Sequence, residues 1–275
     1  MIPAAFDYHR ADSVADALAV LAEHGDEAKL LAGGHSLLPL MKLRLAAPAV
    51  VVDVGHLADL RYVRQEGAEV AIGALTRHRQ LEVAEVAHRS VPVLAHVAGQ
   101  VGDPQVRHRG TIGGSIAHGD PASDLPAVVL ALDGTLVVEG PAGRREIPAT
   151  EFFTGFLETA IGPDEMLVEI RVPSTTGGWS FQKFNRRAQD WAIVGAVAVT
   201  DGTTRVSLVH MGTTPVRAAA TEAALGAGAG VTEAAAVADE GLEPPEDTNA
   251  SREYRRHLAR VLVRRALEEA AAGDG

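Results

Sequence analysis

Hydrophobic positions near the start of the chain follow a helical period and then change to a strand pattern. The helical stripe consists of Val14, Ala17, Leu18 and Leu21. Ser13 is suited to cap the first turn of this helix, and Gly25 is suited to end it. The apolar runs 28–31 and 50–54 predict two short buried strands, and 36–43 predicts a helix between them.

Further along, short apolar runs separated by turn residues predict antiparallel hairpins. Segments 62–64 and 69–72 flank a turn at 65–68, and segments 136–138 and 145–147 flank a turn at 140–143. Between the two hairpins, 81–101 carries an apolar helical pattern interrupted by Pro92, and 166–172 predicts a further strand.

The last third of the chain follows a breaker-rich linker at 173–178. Three antiparallel strands are expected at 179–184, 193–200 and 204–210, and a turn at Asp201-Gly202 joins the last two. The buried stripe of a terminal helix is expected to consist of Tyr254, Leu258, Val261 and Leu262. Strands and helices alternate early and segregate late, which predicts an α+β fold.

Composition narrows the functions that this chain can have. Its length of 275 residues predicts two domains, and the net charge of −11 together with 4% aromatic residues argues against nucleic-acid binding. There is no cysteine, so disulfides, thiolate catalysis and cysteine-ligated iron–sulfur clusters are excluded within this sequence. The histidines show no metal-ligand spacing. Residues 1–7 do not have a leader pattern and no run could span a bilayer, so a soluble cytoplasmic protein is expected.

Two glycine pairs are the most informative local feature. They lie in Ala32-Gly33-Gly34-His35-Ser36 and in Thr111-Ile112-Gly113-Gly114-Ser115, and each is expected at the end of a strand. Residues without a Cβ let backbone N–H groups approach a diphosphate closely. One pair alone is equally consistent with an ordinary turn. Two pairs with the hydroxyls of Ser36 and Thr111 favour a ligand that carries phosphate, although neither pair fits a P-loop or G-x-G-x-x-G.

Polar residues after the second glycine pair have two interpretations. The run 118–126 is explained most simply as a turn in which Asp120 or Ser123 caps a helix that begins near Leu125. The carboxylate of Asp124, however, would repel a nearby diphosphate unless it accepts hydrogen bonds from sugar hydroxyls. A second polar group contains Lys183, Arg186, Arg187, Asp190 and Trp191, and a solvated strand end is its simpler interpretation.

These residues resemble the FAD-binding medium subunit of the molybdenum hydroxylases, the family that includes carbon monoxide dehydrogenase and the flavin domain of xanthine dehydrogenase. The likeness runs almost end to end. It is carried by the motifs at 32–41, 72–76, 103–114, 120–126, 187–192, 214–218 and 254–259.

The resemblance implies a two-lobed FAD-binding domain of the vanillyl-alcohol-oxidase type at 1–172, with lobes of about 1–54 and 55–172. A smaller α+β C-terminal domain would occupy 178–275. It also implies that the diphosphate and neighbouring atoms contact Ala32, Gly33, Gly34, His35, Ser36, Leu37, Thr111, Gly113, Gly114 and Ser115. Asp124 would bind the ribityl chain, and Lys183 and Trp191 would lie near the isoalloxazine edge.

The implied function is electron transfer. The chain would take electrons from the clusters of a [2Fe-2S] small subunit, in a complex whose molybdopterin-binding large subunit oxidises the substrate. It would pass them through FAD to quinone, oxygen or NAD. Two alternatives stay open, namely a stand-alone FAD-dependent oxidoreductase of the same fold and a nucleotide-binding scaffold without turnover.

One position departs from the family pattern. The family usually has asparagine where this chain has Ser115. A serine keeps one donor but reaches less far, so we predict that the isolated protein retains FAD and loses part of it during purification. The flavin-to-protein absorbance ratio after gel filtration checks this, and full retention in every preparation would contradict it.

Overall fold

The computed structural model describes residues 2–273, and its first lobe is a three-stranded parallel sheet with β3 in the centre. Its elements are β1 (Asp7–Arg10), α1 (Val14–His24), β2 (Ala28–Leu31), α2 (Leu37–Leu43) and β3 (Val50–Asp53). The predicted caps of α1 are confirmed, because Ser13 Oγ accepts a hydrogen bond from the N–H of Asp16 and Gly25 has φ 54°. The sequence analysis missed β1, because the segment Asp7–Arg10 is polar and largely exposed.

The second lobe is a five-stranded antiparallel sheet, in the order β4-β5-β10-β6-β7, with short helices packed against it. Its first elements are β4 (Val63–Glu66), β5 (Glu69–Gly73), α3 (His78–Glu82), α4 (Glu85–Ser90), α5 (Pro92–Ala98), α6 (Pro104–Arg109), α7 (Ile112–His118) and α8 (Asp124–Ala131). They are followed by β6 (Thr135–Gly140), β7 (Gly143–Pro148), α9 (Ala149–Phe152), the ribbon β8 (Phe153–Gly155) and β9 (Glu158–Thr159), and β10 (Met166–Pro173).

The expected hairpins of this lobe are confirmed, and both turns are shorter than the sequence predicted, since Gly140 and Gly143 also pair. Gln65 and Glu66 pair with Val70 and Glu69, so only Gly67 and Ala68 form the turn. The helical pattern at 81–101 is divided among α3, α4 and α5. Pro92 takes the first position of α5, where the missing proline N–H costs nothing.

The C-terminal part is an antiparallel sheet, in the order β11-β12-β13-β14, followed by helices. Its elements are β11 (Gly178–Phe184), β12 (Val194–Asp201), β13 (Thr203–Val209), β14 (Val216–Arg217), α10 (Ala219–Gly226), α11 (Val231–Ala236) and α12 (Arg252–Ala272). The three predicted strands are therefore present, and the turn between β12 and β13 contains Gly202 at φ 71°.

Alternation along the strands joins the three parts through shared cores. Val137 and Val168 face the apolar core of the first lobe, whereas Val138 and Ile170 face the helices of the second lobe. Along β12, Val197 and Val199 belong to the core of the second lobe. Ala196 and Ala198 belong instead to the core under α12. The C-terminal sheet is therefore buried on both faces, which explains its continuous apolar sequence.

One predicted stripe is partly wrong. On α12, Tyr254 is 42% exposed and Val261 is only half-buried, while Arg255 is fully buried. Leu258 and Leu262 lie in the core as expected. Among the helices formed by residues 2–273, none combines the length and the apolar composition needed to cross a bilayer.

Candidate functional site

The first glycine pair lies in the turn between β2 and α2. Gly34 has φ 80°, a conformation that favours glycine. Leu38 donates its N–H to Gly34 O at 3.1 Å, but within residues 2–273 no hydrogen bond is donated by the backbone N–H groups of 33–37. A row of free N–H groups at one turn is suited to an anion such as a phosphate.

The second glycine segment lies directly against the first. A Cβ on Gly33 would overlap the carbonyl oxygen of Arg109 and lie 2.9 Å from the Cα of Gly110. A Cβ on Gly114 would lie 3.9 Å from the Cβ of Ala32. The backbones of the two segments can approach this closely only because the residue at position 33 is a glycine. We call this contact of 32–37 with 109–115 the glycine junction.

The second segment differs from the expected strand-end loop. Thr111 precedes α7, and its Oγ1 accepts a hydrogen bond from the N–H of Gly114 at 3.1 Å. The N–H of Gly113 bonds Ala74 O at 2.9 Å, and that of Ser115 bonds Thr111 O at 3.1 Å. These N–H groups are therefore satisfied within the protein. A Cβ at position 113 would lie 2.5 Å from Ala74 O, so glycine is needed there for close packing.

Three arginines that the sequence analysis did not single out border the glycine junction. Arg77 pairs in a β-bridge with Thr111 and donates to His108 O at 2.7 Å. Arg61 donates to the carbonyl oxygen of Gly55, next to the first glycine turn. The pKa of Arg77 is lowered by burial and by the charges of Arg109 and Arg61, so the three cations lie near one another.

No carboxylate of the described residues neutralises this group of cations. Within residues 2–273, Arg61, Arg77 and Arg109 form no ion pair. In a chain of net charge −11, unpaired arginines around free N–H groups favour an anionic ligand. The signal available in the sequence was the basic run Arg107-His108-Arg109, directly before the second glycine segment.

Two histidines lie beside the junction and differ in burial. His35 is exposed on the first turn, and its pKa is lowered by partial desolvation and by Arg109. His78 is buried against Gly110, and burial lowers its pKa to about 4. His78 is therefore neutral near pH 7. Its Nδ1 has no hydrogen-bond partner within residues 2–273.

Asp124 and Lys183 form a buried ion pair. The Nζ of Lys183 lies 2.7 Å from Asp124 Oδ2, and the two side chains are 7% and 6% exposed. Burial raises the pKa of Asp124, and the charge of Lys183 opposes that rise. Lys183 therefore does not belong to a solvated strand end. The predicted cap of α8 is wrong, because the Ser123 side chain makes no capping bond and Asp120 Oδ1 accepts from the N–H of Ala122, which lies before the helix.

Trp191 lies in the loop between β11 and β12 and is 59% exposed. It lines a cavity of about 210 Å³ together with Arg186, Asp190, Ala192, Ile193, His210, Asn249 and Arg255. His210 connects this cavity to the turn before α8, because its N–H donates to Pro121 O at 2.8 Å.

Half-buried residues complete the first turn. Ala32, Ser36 and Leu37 flank the free N–H groups, and the Ser36 side chain makes no capping bond to α2. In the part of the chain that the structure describes, Asp124 Oδ1 is buried without a partner, so it can accept a hydrogen bond from a ligand hydroxyl. Free N–H groups, unpaired cations and an unpaired acceptor on one chain fit a nucleotide with a diphosphate and a sugar chain. The residues present therefore fit FAD, and the class they define is a dinucleotide-binding protein.

Comparison with known proteins makes the class specific. Residues 4–175 match the family described as the FAD binding domain in molybdopterin dehydrogenase, and residues 179–270 match the CO dehydrogenase flavoprotein C-terminal domain. The chain belongs to this family of molybdopterin dehydrogenase flavoproteins. The resemblance carried by the sequence motifs and the expected α+β fold class are thereby confirmed.

Similar proteins align over nearly the whole chain. The carbon monoxide dehydrogenase medium chain of Hydrogenophaga pseudoflava is 42% identical, with 99% of each chain covered. The caffeine dehydrogenase subunit beta of Pseudomonas sp. (strain CBB1) is 37% identical, with 98% and 96% covered. A solved structure of carbon monoxide dehydrogenase from Hydrogenophaga pseudoflava superposes with a TM-score of 0.94 at 44% identity, covering 99% of each chain.

Proposed function

We propose that this chain is the FAD-binding, electron-transfer subunit of a molybdenum-containing hydroxylase or dehydrogenase complex. The glycine junction is the observation that supports this most strongly, because free N–H groups there lie beside arginines that form no ion pair within residues 2–273. When FAD is bound, its flavin supplies the redox chemistry by accepting and releasing electrons. The protein supplies binding and orientation.

Each part of the site has a proposed role toward FAD. The N–H groups of 33–37 and the neighbouring arginines hold the diphosphate, and Gly113 and Gly114 let α7 approach it. Thr111 and Ser115 support this turn, and His35 and Ser36 line its open side. The carboxylate of Asp124 accepts a hydrogen bond from a ribityl hydroxyl. The loop between β11 and β12, which contains Trp191, covers the flavin end of the cofactor. The FAD-binding domain is proposed to end at residue 172, and the C-terminal domain is proposed to begin at residue 178.

The partners in this proposal are a molybdopterin-binding large subunit and a [2Fe-2S] small subunit. The sequence contains no cysteine to ligate a cluster, so an iron–sulfur relay must come from another chain. Relatives named as a medium chain and as a subunit beta support a multisubunit assembly. The cytoplasm is the proposed compartment, which cell fractionation with immunoblotting tests.

Purification of the tagged full-length chain from its native host tests the proposal. We expect a yellow complex containing FAD, molybdenum and iron, in which substrate reduces the flavin only when all three chains are present. A lone chain that oxidises a small molecule at full rate would favour the stand-alone oxidoreductase. A colourless chain that binds no added FAD would favour the scaffold without turnover.

A further inference from the structure

The Asp124–Lys183 ion pair joins two parts of the chain. Asp124 is the first residue of α8 in the second lobe, and Lys183 comes from β11 in the C-terminal sheet. Their 2.7 Å contact is almost fully buried, and within residues 2–273 Asp124 is the hydrogen-bond partner of the Lys183 ammonium. A buried carboxylate without such a counterion is costly. The C-terminal part therefore supplies the cation that faces Asp124.

The C-terminal sheet also fixes the helix that carries Asp124. Every residue of α8 is buried. Ser207 Oγ donates to Ala127 O at 2.5 Å, and Arg217 Nη1 donates to Leu130 O at 3.3 Å. Together with Lys183, these contacts hold α8 along its length, so the position of Asp124 is set from the C-terminal side.

Only one oxygen of Asp124 is used by these contacts. Oδ2 accepts from Lys183, whereas Oδ1 is buried and has no partner within residues 2–273. Buried polar atoms are almost always hydrogen-bonded in native proteins, so an unpaired oxygen in this place indicates a missing donor. A sugar-chain hydroxyl is such a donor.

We propose that Lys183 is a positioning residue for the flavin cofactor, which acts through Asp124 and does not contact the isoalloxazine ring. It holds Oδ2, so that Oδ1 stays oriented toward the ribityl hydroxyls and available to accept from them. This inference rests on the proposed function, because it takes FAD as the ligand. It differs from the role that the resemblance implied for Lys183, which was contact near the isoalloxazine edge.

A double-mutant cycle on the deflavinated full-length chain tests this inference. The variants are Lys183→Met, Asp124→Asn and the double variant, and Lys29→Met is the control because Lys29 is an exposed lysine on β2. Affinity is measured for FAD and for ADP, which has the adenosine and diphosphate of FAD but no ribityl chain. Thermal unfolding of each variant checks that it folds.

Each single variant is expected to weaken FAD binding by about tenfold, the loss of one charge-assisted hydrogen bond. The double variant should bind FAD no more weakly than the single variants, because both remove the same interaction. The affinity for ADP should stay within about twofold of that of the original chain. A twofold change is smaller than the effect of losing one hydrogen bond. Lys29→Met should change neither affinity.

Two results would overturn the positioning role while leaving the proposed function intact. If the effects of the two single variants multiply in the double variant, Lys183 acts on the flavin independently of Asp124. If Lys183→Met weakens FAD and ADP equally, it acts by loosening the structure as a whole. Failure of the original chain to bind FAD at all would overturn the proposed function, and this inference with it.

Discussion

At the scale of single residues, the glycines of the two pairs are required for different physical reasons. Gly34 is needed for its positive φ of 80°, whereas Gly33 and Gly113 are needed because other backbone lies where a Cβ would be. Within residues 2–273, the N–H groups of 33–37 donate no hydrogen bond, whereas those of 112–115 all do. A glycine pair in a sequence therefore does not reveal which of its atoms face a ligand.

Gly33→Ala tests the glycine junction directly. The added Cβ overlaps the carbonyl oxygen of Arg109 and also lies against the Cα of Gly110. Both are backbone atoms that cannot rotate away, so the two segments must separate. We expect FAD affinity to fall by about tenfold or more. Gly226→Ala is the matched control, because a Cβ there meets nothing within 4 Å. Fluorescence titration with FAD measures both variants, and equal affinities would contradict the junction.

His78 makes stability depend on pH in a defined direction. Its folded pKa of about 4 lies below the ordinary value of 6.5, so the unfolded chain binds the extra proton. Stability from this group is complete above pH 6.5 and is lost as the pH falls toward 4, by up to about 3 kcal/mol.

His78→Gln isolates this contribution. Acidic groups with lowered pKa values, such as Asp247 at about 2, also lose stability in acid but do so equally in both proteins. We expect the difference in unfolding free energy between the original chain and the variant to shrink from pH 7 to pH 4.5. Urea denaturation at both pH values measures this difference. A difference that does not change with pH would show that His78 is not held in its neutral form in the folded protein.

At the scale of helices and strands, capping residues and periodic apolar runs were predictable. α1, β2, β3 and the hairpins follow from local pattern, whereas β1 does not, because its polar residues carry no strand signal. The start of α7 at the second glycine pair was also missed. Glycine disfavours a helix locally, and packing against Ala74 overrides that preference.

Arg255 on α12 shows why the face of a helix could not be predicted from hydrophobicity alone. A charged residue is expected to be exposed, yet Arg255 is fully buried, bonding Ile193 O and lying 2.8 Å from Asp247 Oδ2. Its partners come from loops outside α12, and Ile193 is far away in the sequence, so the pattern of the helix does not mark it. The Asp124–Lys183 pair escapes prediction for the same reason.

Arg255→Ala should destabilise the protein, because it leaves the buried Ile193 carbonyl without its guanidinium donor and breaks the ion pair with Asp247, which keeps the N–H donors of Asn249 and Ala250. We expect a loss of about 1–3 kcal/mol, the cost of leaving a buried polar group without its partner. Arg264→Ala on the same helix is the control, since Arg264 is exposed and lies 3.9 Å from Glu268, and its loss should be under about 1 kcal/mol. Chemical denaturation compares them, and similar losses would contradict the buried role.

At the scale of the whole molecule, the C-terminal part completes the core of the second lobe. Trp179, Phe181 and Val197 belong to the same apolar cluster as Leu125 and Val128 of α8. The Lys183 charge reaches Asp124 from the same side. The two parts are therefore expected to fold and bind FAD as one unit, although separate family models match them.

Truncation after residue 175 tests this dependence. The fragment exposes the apolar face of α8, so we expect it to aggregate or bind the dye ANS and to hold FAD poorly. Coexpression of residues 176–275 should restore a compact flavoprotein. Gel filtration and flavin absorbance measure both outcomes. A monomeric fragment with the FAD affinity of the full chain would show that the C-terminal part plays no role in the site.

A crystal structure of the full chain with bound FAD tests the central claim most directly. The account predicts that the diphosphate oxygens accept hydrogen bonds from the N–H groups of 33–37 and that a ribityl hydroxyl donates to Asp124 Oδ1. A dinucleotide bound elsewhere, with the glycine junction left unused, would contradict it.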